Sequence, residues 1–145
     1  MLPDRAGTYA LILRLTEACV IACGGLGQRR FLSGWYAYVG SAHGPDGLAA
    51  RLGRHLRATG CLHWHIDYLR AQSQPVEVWY TADPARRECA WAEVLLQLPG
   101  AEVVVPRFGA SDCRCWAHLA RFAYPPERLA FSRAVGEEIA FELIA

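Results

Sequence analysis

Phenol, guanidinium and carboxylate groups stand at suggestive places in this chain. Tyr9 closes the triplet Gly7-Thr8-Tyr9, Tyr38 opens Tyr38-Val39-Gly40, Arg51 follows in a helical pattern and Glu88 in a later one. A phenol can pass a proton, a guanidinium presents a planar fork suited to phosphate oxygens, and a carboxylate holds a hard cation. Between positions 49 and 70 come Arg51, Arg54, Arg57 and Arg70, with His55, His63 and His65, against one carboxylate, Asp67. Such a basic stretch suits a polyanion. Further on, Cys113, Cys115 and His118 are ligand types that zinc takes. Cys-x-Cys-x-x-His is not a standard zinc spacing, however, and the sequence assigns no fourth ligand, with Cys61 and His63 the options. Buried thiols beside a helix-facing His are therefore the preferred reading, with zinc or redox use of the pair as alternatives.

The chain that must position these groups has 145 residues, 53% of them apolar, and a net charge of +1. That length suits one domain with a sizeable core and excludes a disordered linker. Apolar runs break well short of the ~18 residues a membrane span needs, and the first residues lack an export pattern. The expectation is a soluble, cytoplasmic protein with no membrane partner and with its six cysteines reduced. All fifteen cations are Arg, a bias that GC-rich coding also produces. Position is more telling than composition, because the basic stretch is balanced by Glu127, Glu137, Glu138 and Glu142 near the C-terminus.

Residues 8–15 are rich in β-formers and read as a strand. Residues 19–23 and 28–32 flank the turn-rich Gly24-Gly25-Leu26-Gly27 and read as a hairpin, and 35–40 as a second core strand. Helical spacing of Leu48, Leu52, His55 and Leu56 predicts a helix over 47–58, closed by Gly60. A short helix over 65–70 and a strand over 75–80 follow. Asp83 as N-cap with Pro84 at the first helical position predicts a helix to about Gln97. A short strand is expected over 101–105, a helix around 115–122, and a helical segment with a break at Gly136 over 127–145. The pattern is α+β, with a small, mainly antiparallel sheet carrying an extra β-hairpin and flanked by helices. Residues 1–124 form the main domain, and 125–145 a helical tail packed on it, an acidic segment that could cover the basic groove or support an oligomer.

The ordered set Gly7-Thr8-Tyr9, Tyr38-Val39-Gly40, Arg51 and Glu88 resembles the GIY-YIG nuclease superfamily. The fuller text Tyr38-Val39-Gly40-Ser41-Ala42, Arg51-Leu52-Gly53-Arg54-His55, His63-Trp64-His65-Ile66-Asp67 and Phe108-Gly109-Ala110-Ser111-Asp112-Cys113 is similar to its DUF123 group, the Uri-type endonucleases. The likeness runs from about Gly7 to Phe122. Thr8 stands where that superfamily usually has Ile, and the loop from Gly40 to Arg51 is longer than in its short members. Arg51 rather than Arg54 takes the catalytic place, because it fits the Arg-x-x-x-His pattern with His55.

The resemblance implies a DNA endonuclease with Tyr9, Tyr38, Arg51, His55 and Glu88 as catalytic residues, and Glu88 holding Mg²⁺ or Mn²⁺. Ser41, Arg54, Arg57, His63 and His65 would contact nucleic acid, and a homodimer or fused partner would supply specificity. In that chemistry a Tyr acts as general base only if its pKa falls from ~10 towards neutrality, which a neighbouring Arg51 favours. Each residue also has a plainer role: Tyr in packing, Arg as solvated charge, Glu88 as a first-turn helix residue. His63, His65 and Asp67 either project towards DNA or form a helix N-terminal turn in which Asp67 caps and His65 bonds inward. Two other functions compete: a non-cleaving module that binds structured nucleic acid, and a zinc-stabilised scaffold protein.

Overall fold

Strand β1 (Gly7–Leu15) shows why this sequence needs two helical layers. Side chains of a strand alternate between faces. Tyr9, Leu11, Leu13 and Leu15 enter one apolar core while Ala10 and Ile12 enter another. Both faces are buried, so the strand reads as an almost unbroken apolar run. A computed structural model describes residues 2–57 and 62–144. Among these, β1 is the centre of a five-stranded antiparallel sheet of order β6-β4-β1-β5-β7, with β4 (Gly34–Ala42), β5 (Gln74–Thr81), β6 (Leu119–Phe122) and β7 (Ala140–Leu143). A separate hairpin pairs β2 (Cys19–Ala22) with β3 (Gln28–Phe31).

Helices α1 (Gly47–Arg57) and α2 (His65–Arg70) cover one face, with Leu48, Leu52, Ile66 and Leu69 meeting Leu11, Leu13, Phe31 and Phe108. Helices α3 (Glu88–Gln97) and α4 (Arg128–Val135) cover the other. There Phe131 lies against Trp91 edge-on, at 5.1 Å between ring centroids, and against Trp79 at 5.4 Å. The α+β class, the antiparallel sheet, the extra hairpin and the flanking helices are as the sequence implies. Gly60 and Cys61 lie outside the described residues.

Four local expectations are corrected. Asp83 does not cap a helix: its carboxylate accepts the Ala85 N–H at 2.8 Å and pairs with Arg87 at 3.1 Å, a turn that delays α3 to Glu88. Residues 101–105 form no strand beyond one bridge, Glu102 to Arg121. The helix-favouring stretch around 115–122 instead gives β6, because pairing with the open edge of β4 overrides local propensity. The segment after Gly136 gives β7 on the edge of β5, with Gly136 in the left-handed conformation ending α4. The acidic C-terminal segment thus completes the sheet and touches both cores: Ile139 enters that of Trp79 and Trp91, Ile144 packs against the other, and Glu137 accepts from Trp91 Nε1 at 3.2 Å and pairs with Arg87 at 3.3 Å.

Phe131→Ala should remove the ring that fastens α4 to Trp79 and Trp91. A loss of about 3–5 kcal/mol is expected, read as a lower urea midpoint at unchanged slope.

Candidate functional site

The pairing of β1 with β4 places Tyr9 opposite Gly40 and Leu11 opposite Tyr38. Tyr9 and Tyr38 are therefore diagonal neighbours on one face, with ring centroids 6.4 Å apart. Gly40 is glycine for a steric reason: a Cβ there would collide with the Tyr9 hydroxyl. Arg51 and His55, one turn apart on α1, reach over this face. His55 Nε2 and Tyr9 Oη are hydrogen-bonded at 2.7 Å. Arg51 donates to the Ser41 carbonyl at 3.3 Å and lies 4.4 Å from the centre of the Trp64 ring, a cation–π contact that fixes its direction.

Glu88, the first residue of α3, arrives from the other layer. Its Oε2 accepts from Ser41 Oγ at 3.1 Å, and its Oε1 lies 3.5 Å from His118 Nδ1. Tyr9, Tyr38, Ser41, Arg51, Glu88, His63 and His65 all line one cleft of about 740 Å³, which Arg86, Cys89, Cys113 and His118 line as well. The two phenols, the guanidinium and the carboxylate singled out in the sequence converge.

Their protonation differs from the sequence expectation. Burial raises the Tyr9 pKa well above the usual phenol value, helped by Tyr38 and only partly opposed by Arg51. Tyr38 is raised likewise, by burial and then Glu88. The guanidinium does not overcome desolvation, so neither tyrosine is a phenolate at neutral pH. His55, 2% exposed, is shifted the other way: burial lowers it to about 4, leaving a neutral imidazole on the Tyr9 hydroxyl. For Glu88, burial pushes the pKa up, but His118, Ser41 and Arg51 outweigh it and hold the carboxylate charged.

The residues expected to contact nucleic acid divide. Arg57 and His63 are exposed. Arg54 is engaged by Asp67 through two bonds of 2.8 and 3.0 Å, lies 4.2 Å from the Trp64 ring centre and does not line the cleft. Of the two readings for His63, His65 and Asp67, the structure adopts the N-terminal turn. Asp67 accepts the His63 and Trp64 N–H groups at 2.8 and 2.7 Å, and His65 Nδ1 accepts the Gly109 N–H at 2.8 Å.

Cys113, Cys115 and His118 are joined by a residue the sequence reading missed. Ligand atoms of Cys89, Cys113, Cys115 and His118 all lie within 4.8 Å of one another, a Cys3His set able to hold a metal ion. The thiols expected to be buried are not: Cys113 and Cys115 are half-buried and Cys89 beside them is exposed, and His118 precedes a strand rather than facing a helix. The fourth group comes from α3, beside Glu88, and is neither His63 nor, among the described residues, any other Cys. No local spacing links position 89 to 113; the only signal was a Cys adjoining the expected catalytic Glu. Arg107, at a positive φ of 69°, donates to the carbonyls of Ala110, Cys113 and Cys115 at 2.5–2.6 Å and so shapes the loop that presents two of the thiols.

The family profile described as "Domain of unknown function DUF123" matches residues 8–140, and the chain belongs to that family. No curated protein and no solved structure matches it. Among the described residues no helix is long and apolar enough to cross a membrane.

The His55 shift carries a stability consequence. Its folded value of about 4 lies below the ordinary 6.5, so the neutral imidazole's contribution is complete above pH 6.5 and is lost as pH falls towards 4. That loss is on the order of 3 kcal/mol. Urea unfolding of wild type between pH 7 and 4 should show it, and His55→Gln should flatten that part of the profile.

Proposed function

We propose that this DUF123 protein is a metal-dependent endonuclease that hydrolyses phosphodiester bonds in DNA. The observation that carries the reading is the meeting of Tyr9, Tyr38, Arg51 and Glu88 in one cleft, each supplied by a different element. The resemblance of the same four residues, in the same order, to the GIY-YIG superfamily supports it independently of the geometry.

Glu88 suits Mg²⁺ or Mn²⁺: it is a charged carboxylate, 30% exposed, at an open cleft, and Mg²⁺ is commonly held by one or two carboxylates with water completing its shell. Bound there, the ion would supply Lewis-acid stabilisation of the phosphate and leaving oxygen. The chain's own residues do the rest. Tyr9 accepts the proton of the attacking water as it hands its own to neutral His55, so the base is the hydrogen-bonded pair rather than a free phenolate. Arg51, held in direction by the Ser41 carbonyl and Trp64, meets charge growing on the equatorial oxygens. Tyr38 orients the phosphate or the water. Arg57, His63 and Arg86 approach the backbone of the DNA.

The Cys3His set favours a second reading, a zinc-stabilised scaffold protein in which Tyr9, Tyr38 and Arg51 are structural.

Purified protein incubated with supercoiled, nicked, flapped and single-stranded DNA, with and without Mg²⁺ or Mn²⁺, separates the two. Metal-dependent strand scission is expected, abolished in Glu88→Ala. Tyr9→Phe should lower turnover roughly 10²–10⁴-fold with little change in DNA affinity. Binding without cleavage on every substrate sinks the nuclease.

A further inference from the structure

We infer that Cys89, Cys113, Cys115 and His118 bind one zinc ion, and that His118 couples this ion to Glu88 by ligating through Nε2 and turning Nδ1–H to the carboxylate. In a tetrahedral site with Zn–S near 2.3 Å and Zn–N near 2.0–2.1 Å, adjacent S···N and S···S separations are roughly 3.6 and 3.8 Å. His118 Nε2 lies 3.4 Å from Cys113 Sγ and 4.0 Å from Cys89 Sγ, and all four ligand atoms fall within 4.8 Å. Separations of this size fit four ligand atoms around one ion. They close it with three thiolates and one neutral imidazole, the three thiol protons leaving to solvent. Four protein ligands leave no open position, which marks a structural centre rather than a catalytic one.

The other ring nitrogen is what makes the centre more than a staple. His118 is 2% exposed, and its Nδ1 is buried without a hydrogen-bond partner. Glu88 Oε1 lies 3.5 Å away, just beyond a good bond. A metal-bound His generally gives its remaining N–H to a carboxylate or carbonyl, which fixes the ring and its tautomer. Ligation through Nε2 leaves the proton on Nδ1, and Glu88 is placed to receive it. Cys89 is the next residue along the chain, so zinc fixes Glu88 from two sides: through the α3 backbone and through the imidazole. The zinc site stands on these ligands alone; only the consequence for catalysis rests on the nuclease reading.

The test uses the full chain and zinc or cobalt alone as probes. Metal analysis should find one zinc per chain. Replacement by Co²⁺ should give thiolate-to-cobalt charge-transfer absorption of intensity fitting three thiolates, lost in part in Cys89→Ser and kept in Cys19→Ser. Glu88→Gln should retain one zinc yet weaken it about 10–100-fold against a competing chelator, the usual cost of losing a carboxylate behind a ligand His. Absence of stoichiometric zinc in a folded chain, or a cobalt spectrum without thiolate bands, overturns the site. Unchanged zinc affinity in Glu88→Gln overturns the coupling. If DNA is never cut while zinc binds and Glu88→Gln weakens it, the coupling stands and the nuclease alone fails.

Discussion

The antiparallel register of β1 on β4, with Tyr9 opposite Gly40, is the constraint from which the cleft follows. It puts both phenols on one face and empties the position opposite Tyr9, so its hydroxyl passes over the backbone to His55. A slip of one residue would turn every side chain of β1 to the other face. Tyr9 would then point into the layer of Trp79 and Trp91, away from His55. The register is secured by burial on both faces, since Leu11 and Leu13 on one side and Ala10 and Ile12 on the other would all have to exchange cores. Core packing and site geometry are thus one specification, written in a single nine-residue strand.

Burial also decides which protonation states the cleft offers. A guanidinium near a phenol is attractive in the sequence because opposite charges lower a phenol's pKa, but Tyr9 is 1% exposed, and the cost of placing a phenolate there exceeds what Arg51 returns. The same desolvation acts with opposite sign on His55, stripping its charge. Two groups that would separately be poor at neutral pH, a high-pKa acid and a low-pKa base, share one hydrogen bond. On the nuclease reading proton movement is concerted: Tyr9 stays neutral, and the proton taken from water ends on His55 as a transient imidazolium.

Much of this was legible because it is local. Helix α1 follows from the spacing of Leu48, Leu52, His55 and Leu56, and β1 and β4 from runs of β-branched and aromatic residues between turns. What escaped was set by distant partners. Residues 119–122 are Leu, Ala, Arg and Phe, too short and mixed a run to mark a strand until β4 offers an edge; β7 likewise exists because β5 has one. Asp83 before Pro84 has the form of a helix cap, but Arg87 four residues on claims its carboxylate. Cys89 was overlooked for a related reason: its companions lie across a loop shaped by Arg107, whose three carbonyl bonds no spacing rule encodes.

The start of α3 gathers these strands of argument. Arg87, its N-cap, makes no side-chain capping bond to the first turn. Its position is held instead by ion pairs of Arg87 to Asp83 and Glu137 on one side, and by what Glu88 and Cys89 find on the other. Consecutive residues of a helix diverge by about 100°, so Glu88 faces an oxygen-rich cleft and Cys89 a sulfur-rich corner. Hard cations select the first and soft ones the second. On the proposed reading two metals of unlike chemistry would occupy sites one residue apart, without competing, with His118 between them. A carboxylate on an uncapped first turn is a poorly fixed ligand, and a catalytic metal displaced by 1 Å loses much of its effect. On the same reading a closed thiolate centre immediately behind that turn would fix the carboxylate, which gives the chain a reason to carry Cys89 beside Glu88 rather than elsewhere on α3.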